Sequence, residues 1–245
     1  MIKDTLNIKT YKNNELFNYY DKDYEKYYTD LGINGSQEKV DHILSFIKDE
    51  YLFTSVVDIG CGPGVCLREI ANGLNIKRRV GTDISMFILK EAQKQNKKGV
   101  FYRADSTALP FKNKEFDVAL IIDVLEHVEQ PDKVLEEAKR ISNYIIIKAP
   151  IENCWFINLY KQFIKLDWRM MMGHINFYSL DSFKKLTELH NLKLIKYYIP
   201  KQIIKDDLNW KMTLLNIGQW ITNILPEWLR VRILPTEYYA LYEVQ

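Results

Sequence analysis

The stretch that decides the fold is "VVDIGCGPG", residues 56–64. An apolar run typical of a strand comes first, three glycines follow within five residues, and the next ten residues carry apolar side chains at helical spacing. Glycine adopts positive φ and lets a ligand approach the main chain closely. The stretch therefore predicts a strand, a turn and a helix whose N-terminus holds a cofactor, with a tight structural turn as the alternative.

The spacing of the glycines separates two kinds of cofactor. A dinucleotide fingerprint reads G-x-G-x-x-G, whereas here the third glycine comes one residue early and Val65 occupies the expected position. Asp58 stands directly before the loop, where an acid suits a positively charged cofactor better than a pyrophosphate. S-adenosylmethionine has an ammonium and a sulfonium group and no phosphate, so the loop favours it over a nicotinamide dinucleotide.

These residues resemble motif I of the class I S-adenosylmethionine-dependent methyltransferases, in particular the type 11 and type 23 enzymes with small-molecule acceptors. The resemblance continues through "RRVGTDIS", "GVFYRADSTALPF" and "FDVALIIDVLEHVEQP", and covers about residues 40–200. It implies that Asp83 binds the ribose hydroxyls, that Asp105 and Ser106 contact the adenine, and that Asp123 lies near the methionine end. The implied cofactor-binding set is Asp58, Gly60, Cys61, Gly62, Gly64, Asp83, Ile84, Asp105, Ser106 and Asp123.

Strand-like and helix-like segments alternate along the chain, which predicts an α/β fold with a mostly parallel sheet. Ser36 and Pro131 mark the starts of two predicted helices. The resemblance implies a Rossmann-like sheet of seven strands with an antiparallel last strand and helices on both faces. We expect an N-terminal helical cap over the cofactor at 1–35 and a methyltransferase domain at 36–245, which includes an acceptor-pocket segment at 151–178 and an apolar helical insertion at 203–235.

Composition limits the classes of protein. Of the 245 residues, 47% are hydrophobic and 27% charged, which is typical of a soluble globular domain, and "MIKDTLNIKT" has no apolar core of a signal peptide. Cys61, Cys66 and Cys154 match no zinc-ligand spacing, so we expect reduced thiols in a cytoplasmic protein and neither a metal site nor a disulfide framework. The net charge of +2 is spread along the chain, so no strong nucleic-acid signal is present.

Two histidines are candidates for acid–base chemistry. Methyl transfer from a sulfonium is an in-line displacement, and a base is needed only where the acceptor must lose a proton. His174, in "GHINFYSL", falls in the segment that the family uses to shape the acceptor pocket, and we predict it as the catalytic base. The alternative is that His174 fixes the loop through backbone hydrogen bonds. For His127, in "VLEHVEQP", we favour a positional role.

Aromatic and apolar segments outside the motifs bear on the acceptor. Tyr20, Tyr24, Tyr27 and Tyr28 fall on one face of a predicted helix, where they would pack on the domain or close over the sulfonium. The insertion at 203–235 is rich in leucine, isoleucine and tryptophan. It predicts a lid over an apolar or lipid-linked acceptor, a peripheral contact with the inner face of the membrane, or a dimer contact.

The sequence therefore predicts an S-adenosylmethionine-dependent methyltransferase acting on a small-molecule or lipid-like acceptor, with oxygen as the expected acceptor atom. An RNA or protein methyltransferase and a non-catalytic nucleotide-binding or membrane-associated protein of the same fold are the alternatives. The glycine spacing disfavours a nicotinamide-dependent oxidoreductase. The oligomeric state is not predicted.

Overall fold

The computed structural model describes residues 8–10, 36–48, 50–155, 157–159, 173–201 and 223–245. Strands and helices alternate through most of these residues, as the sequence predicts. In chain order they are β1 (Ile8–Thr10), α1 (Ser36–Ile47), β2 (Ser55–Ile59), α2 (Val65–Gly73), β3 (Arg78–Asp83), α3 (Met86–Gln95), β4 (Val100–Arg103), β5 (Phe116–Ile122), α4 (Pro131–Ile141), β6 (Ser142–Ile151), α5 (Leu180–Leu189), β7 (Leu192–Tyr198), α6 (Glu227–Ile233) and β8 (Thr236–Val244).

The strands form one sheet in the order β1-β4-β3-β2-β5-β6-β8-β7. All neighbouring pairs are parallel except the two that involve β8, which runs antiparallel between β6 and β7. The predicted Rossmann-like sheet with an antiparallel last strand is thereby confirmed. The strand order reverses at β2, whose neighbours are β3 on one side and β5 on the other, and such a switch point opens a crevice at the carboxyl ends of the strands.

The short strand β1 extends the predicted seven-stranded sheet by an eighth strand, paired with β4. It lies inside the segment 1–35, for which the sequence predicted a helical cap, so at residues 8–10 that prediction is wrong. A strand of three residues is too short to show an alternating pattern, which is why the sequence did not predict it. The four tyrosines predicted to share a helical face lie outside the described residues.

The sheet is covered on both faces, which explains why its central strands read as continuous apolar runs. All five residues of β2 are buried, and so are six of the seven in β5. On one face, α1 and α2 pack together and contribute Val40, Ile43, Leu67 and Ile70 to a common core. On the other face, α4 and α5 contribute Val134, Leu135 and Phe183 to a second core.

Part of the predicted insertion at 203–235 is described. Its last residues form α6, in which Trp228 is exposed and Arg230 is buried, the latter donating a hydrogen bond to the carbonyl of Pro200 at 2.6 Å. Within the part of the chain that the structure describes, none of the helices has the length and hydropathy that a membrane span requires.

Candidate cofactor and acceptor site

A cavity of about 180 Å³ lies at the carboxyl ends of β2 to β5, at the switch point of the sheet. Six of the ten residues predicted to bind the cofactor line it: Gly60, Asp83, Ile84, Asp105, Ser106 and Asp123. Its other lining residues are Thr82, Ala104, Thr107, Val124, His127, Val128, Glu129 and Gln130. The structure thus brings together loops that are more than sixty residues apart in the sequence.

The glycine loop forms the part of this site nearest β2. Gly60, Gly62 and Gly64 all have positive φ, at +70°, +50° and +73°. A Cβ on Gly60 would lie 2.7 Å from Cγ2 of Val124, so protein packing alone requires a glycine there. A Cβ on Gly62 would meet nothing within 4 Å, so its positive φ and not packing requires the glycine, and the backbone there is open to a ligand.

This difference predicts different results for two alanine substitutions. Gly60→Ala should lower the free energy of unfolding by about 2 kcal/mol, because it adds a clash to the cost of the left-handed conformation. Gly62→Ala should cost only about 1 kcal/mol of conformational strain. Its main effect should be a loss of affinity for the cofactor by a factor of about ten, because the added methyl group occupies the cradle. Thermal unfolding and calorimetric titration of both variants check this, and the reverse ranking would contradict it.

Asp83 is fixed at the end of β3 by the backbone around it. Its two carboxylate oxygens accept hydrogen bonds from the N–H of Gly62 and the N–H of Ser85, each at 3.0 Å. The side chain therefore connects the glycine loop to the start of α3 and is buried while still lining the cavity. This placement suits the predicted binding of ribose hydroxyls, because a carboxylate oxygen accepts more than one hydrogen bond.

The loop after β4 forms the next wall of the cavity. One carboxylate oxygen of Asp105 accepts hydrogen bonds from the N–H and the hydroxyl of Thr107, at 2.9 and 2.8 Å. Arg103 donates a hydrogen bond to the carbonyl of Ile84 at 2.9 Å and so joins this loop to the one after β3. Asp105 is thus a turn residue as well as a lining residue, and its predicted adenine contact, with that of Ser106, stays a prediction.

Four predicted cofactor residues do not line the cavity: Asp58, Cys61, Gly62 and Gly64. Asp58 and Cys61 are buried behind the loop, and the N–H of Cys61 donates to the carbonyl of Thr82 at 2.8 Å. Burial, and then the carboxylate of Asp83, raise the pKa of Asp58 to about 8. The structure places these two side chains under the glycine loop. Their direct contact with the cofactor stays a prediction.

Asp123, directly after β5, is held by two lysines. It has a positive φ of 54° and forms ion pairs with Lys148 of β6 and, at 2.6 Å, with Lys39 of α1. Burial alone would raise the pKa of Asp123, but the two ammonium groups hold it well below its usual range. Lys148 is buried and pairs also with Glu237 at 2.7 Å. The carboxylate of Asp123 is therefore negatively charged where it borders the cavity.

The predicted base His174 lies beside the cavity in a buried polar cluster. Its Nδ1 is 2.8 Å from a carboxylate oxygen of Glu152, and its ring meets the ring of His127 edge to face at 4.8 Å between centroids. His127 lines the cavity, and its Nδ1 is 3.1 Å from the carbonyl oxygen of Gly173. The side chain of His127 thus forms part of the site, in addition to the positional role that the sequence favoured.

Sequence reasoning missed Glu126 and Glu152. Both carboxyl groups are buried, and neither oxygen of Glu126 has a hydrogen-bond partner among the described residues. Burial, and then the charge of Asp123, raise the pKa of Glu126 well above its ordinary value. The sequence signal that was available is the position of Glu126 directly before the candidate His127 in "VLEHVEQP".

Comparisons with known proteins identify the kind of domain that carries this site. Residues 57–143 match the family model described as "Methyltransferase domain". The mitochondrial ubiquinone biosynthesis O-methyltransferase of Candida albicans is 30% identical over 124 residues, which are 46% of this chain and 38% of that protein. The demethylmenaquinone methyltransferase of Renibacterium salmoninarum is 33% identical over 88 residues, 36% of each chain.

Among solved structures, the magnesium protoporphyrin IX methyltransferase of Synechocystis with bound S-adenosylhomocysteine superposes with a TM-score of 0.63. The alignment covers 94% of this chain and 98% of that one at 15% identity, so it shows a common fold. This chain spans less than half the length of the curated relatives it matches. Residues 57–143 therefore belong to a methyltransferase domain, and the strand order and the glycine cradle agree with the fold of the class I S-adenosylmethionine-dependent methyltransferases.

Proposed function

We propose that this protein transfers a methyl group from S-adenosylmethionine to a small-molecule acceptor, and that the acceptor atom is an oxygen. The observation that carries the proposal is the buried cluster of Glu126, His127, Glu152 and His174, which adjoins the cofactor cavity through His127. A domain that only bound the cofactor would not need titratable groups buried next to it, because burying them costs free energy.

The chemistry required of the chain is modest. The bound cofactor supplies an electrophilic methyl group on a sulfonium. The chain must hold the acceptor in line with that methyl group, exclude water and take up the proton of an acceptor hydroxyl. The Nδ1 of His174 is engaged by Glu152, which orients the ring and leaves Nε2 for the acceptor side. The cluster that contains His174 is therefore placed to accept this proton.

The position of His174 depends on a network that joins residues 173–178 to the turn after β5. The N–H of Ile175 donates to the carbonyl of Glu126 at 2.8 Å. The side-chain amide of Asn176 donates to the carbonyls of Leu125 and Val128, at 2.8 and 2.7 Å. Because these bonds fix the backbone directly after His174, the geometry of the cluster is preorganised, as proton transfer requires.

The acceptor class is supported by several observations. The relatives from Candida albicans and Renibacterium salmoninarum are named for ubiquinone and demethylmenaquinone, which are small apolar molecules. Trp155, Ile224 and Trp228 are exposed in the segments predicted to form the acceptor pocket and the apolar insertion. We therefore include an apolar or lipid-linked acceptor, and peripheral membrane contact through 203–235, in the proposal.

The experiment is a transfer assay with S-adenosylmethionine that carries a radioactive methyl group. The protein is incubated with small-molecule, RNA and protein fractions of a cell extract, each offered separately. We expect the label to appear in the small-molecule fraction and to be extracted into organic solvent. Label confined to RNA or to protein would contradict the proposal, and so would the absence of transfer to any fraction.

His174→Gln should lower the rate of transfer by roughly 100-fold, because the cluster loses the group that accepts the proton. The affinity for S-adenosylhomocysteine should not change, since His174 does not line the cofactor cavity. His190→Gln is the matched control, because His190 also pairs with a carboxylate, that of Asp132 at 2.9 Å, but lies outside the cluster. Equal rates in the two variants, or equal losses of cofactor affinity, would contradict a catalytic role for His174.

A further inference from the structure

We propose that Glu126, His127 and His174 bind a divalent first-row transition metal ion, with Zn²⁺, Mn²⁺ or Fe²⁺ as suitable ions. One ligand atom of each residue lies within 4.8 Å of those of the other two. The sequence predicted no metal site, because it considered only the cysteines. The metal site goes beyond the proposed function, and only the use suggested for it below rests on that function.

The carboxylate of Glu126 is the first observation that points to a cation. Its side chain is 1% exposed, and neither oxygen has a hydrogen-bond partner among the described residues. The two lysines near this site, Lys39 and Lys148, form ion pairs with Asp123. A buried carboxyl group without a partner costs free energy, and a bound cation removes that cost.

The two histidines are oriented as metal ligands usually are. Their Nδ1 atoms face acceptors, the carboxylate of Glu152 for His174 and the carbonyl of Gly173 for His127. Each Nδ1–H donates to its acceptor in this arrangement, which fixes the tautomer and leaves the Nε2 lone pair for a metal. The second ligand shell is thus present for both rings.

The ligand set indicates the class of metal. Two neutral imidazoles and one carboxylate suit zinc, manganese or iron better than magnesium, which prefers oxygen ligands alone. Three protein ligands leave at least one coordination position open, as in catalytic metal sites. Because His127 lines the cofactor cavity, this position would be near the acceptor.

An open position next to the cofactor suggests a use for the metal. An acceptor hydroxyl that coordinates there would release its proton to solvent, because the metal lowers the pKa of the bound oxygen. The oxygen would then form the new C–O bond while the S–CH₃ bond breaks, its electron pair passing to sulfur to give S-adenosylhomocysteine. In the metal-loaded protein His174 is a ligand and the metal-bound oxygen needs no separate base, whereas in the metal-free protein His174 is the base of the proposed function.

The test is metal binding measured without turnover. The protein is freed of metal by a chelator and titrated with Co²⁺, followed by visible absorption, and with Zn²⁺, followed by calorimetry. We expect one ion per chain with a dissociation constant in the micromolar range or below. Glu126→Gln and His174→Ala should weaken binding by about 100-fold, and Glu152→Gln, which removes only an outer partner, by about tenfold.

His190→Ala is the control, since His190 lies outside the cluster and should leave binding unchanged. Absence of binding to the parent protein, or equal affinities in all variants, would overturn the proposal. If a variant fails to fold, X-ray absorption spectroscopy of the Co²⁺-loaded parent protein identifies the ligands of the metal. Two imidazoles and a carboxylate around the cobalt would support the site. A thiolate ligand or a shell of oxygen ligands alone would overturn it. The binding of S-adenosylhomocysteine to the metal-free protein is measured as well. If this binding persists while metal binding is absent, the metal site is overturned and the proposed function is not.

Discussion

Replacing Asp83 with alanine should weaken the binding of S-adenosylmethionine and S-adenosylhomocysteine by about 100-fold, which corresponds to about 3 kcal/mol. The variant loses the acceptor predicted for the ribose hydroxyls. It also loses the hydrogen bonds from the N–H groups of Gly62 and Ser85, which shape the glycine loop and the start of α3. Calorimetric titration with S-adenosylhomocysteine measures the change directly.

The matched control is Asp132→Ala, which removes an exposed carboxylate from the start of α4. It should leave the affinity for S-adenosylhomocysteine unchanged. Circular dichroism of Asp83→Ala establishes that the sheet is intact before the affinities are compared. An Asp83→Ala protein that folds and binds the product as tightly as the parent would contradict the assignment of this cavity.

Replacing Asp58 with asparagine should stabilise the ligand-free protein by several kcal/mol in neutral solution, and by more at alkaline pH. Burial, and then the charge of Asp83, raise the pKa of Asp58 from 3.8 to about 8. In the unfolded chain this carboxyl group ionises near its ordinary pKa, so the folded parent loses stability as the pH rises from about 4 to about 8. Asparagine has nearly the same shape and no charge to bury, so the variant escapes this loss.

Thermal unfolding of both proteins across this pH range checks the prediction. The difference in stability should be small near pH 4 and should grow until about pH 8. Asp117→Asn is the control, and its effect on stability should have the opposite sign. Burial alone would raise the pKa of Asp117, but hydrogen bonds from Thr54 and Ser55, at 2.7 to 2.9 Å, hold it below its ordinary value, so this variant should lose stability in neutral solution. A constant difference for Asp58→Asn at all pH values would contradict the account.

The stability cost of Asp58 has a functional counterpart. Natural chains keep destabilising residues mainly where binding or catalysis uses them. We expect Asp58→Asn to bind S-adenosylmethionine more weakly, because the positive charge of the bound cofactor favours the ionised form of Asp58, which asparagine cannot provide. The variant would then be more stable and bind less tightly, a combination that a purely structural Asp58 would not produce.

The fold could be predicted from the sequence because its signals are local. The glycine loop, Pro131 at the start of α4 and the alternation of apolar segments each depend on a few adjacent residues. Asp83 and Asp123 could be placed at one edge of the sheet, because the carboxyl ends of parallel strands meet there. Among the elements that the structure describes, β1 alone was missed, because its three residues carry no pattern.

The polar cluster could be predicted only in part, because its members meet through tertiary packing. Glu126 and His174 are 48 positions apart, and the hydrogen bonds of Asn176 to the turn after β5 bring them together. Glu152 ends up beside His174 because its N–H donates to the carbonyl of Tyr178 at 2.9 Å. The sequence placed Asp58 before the loop but could not show that the sheet buries its side chain behind the cavity, and its direct contact with the cofactor stays a prediction.

The central claim is that the cavity at the switch point binds S-adenosylmethionine, and calorimetric titration of the parent protein tests it most directly. S-adenosylmethionine and S-adenosylhomocysteine should each bind at one site per chain with micromolar affinity and compete with each other, while NAD should not bind. Binding of NAD alone, or of none of the three, would contradict the account.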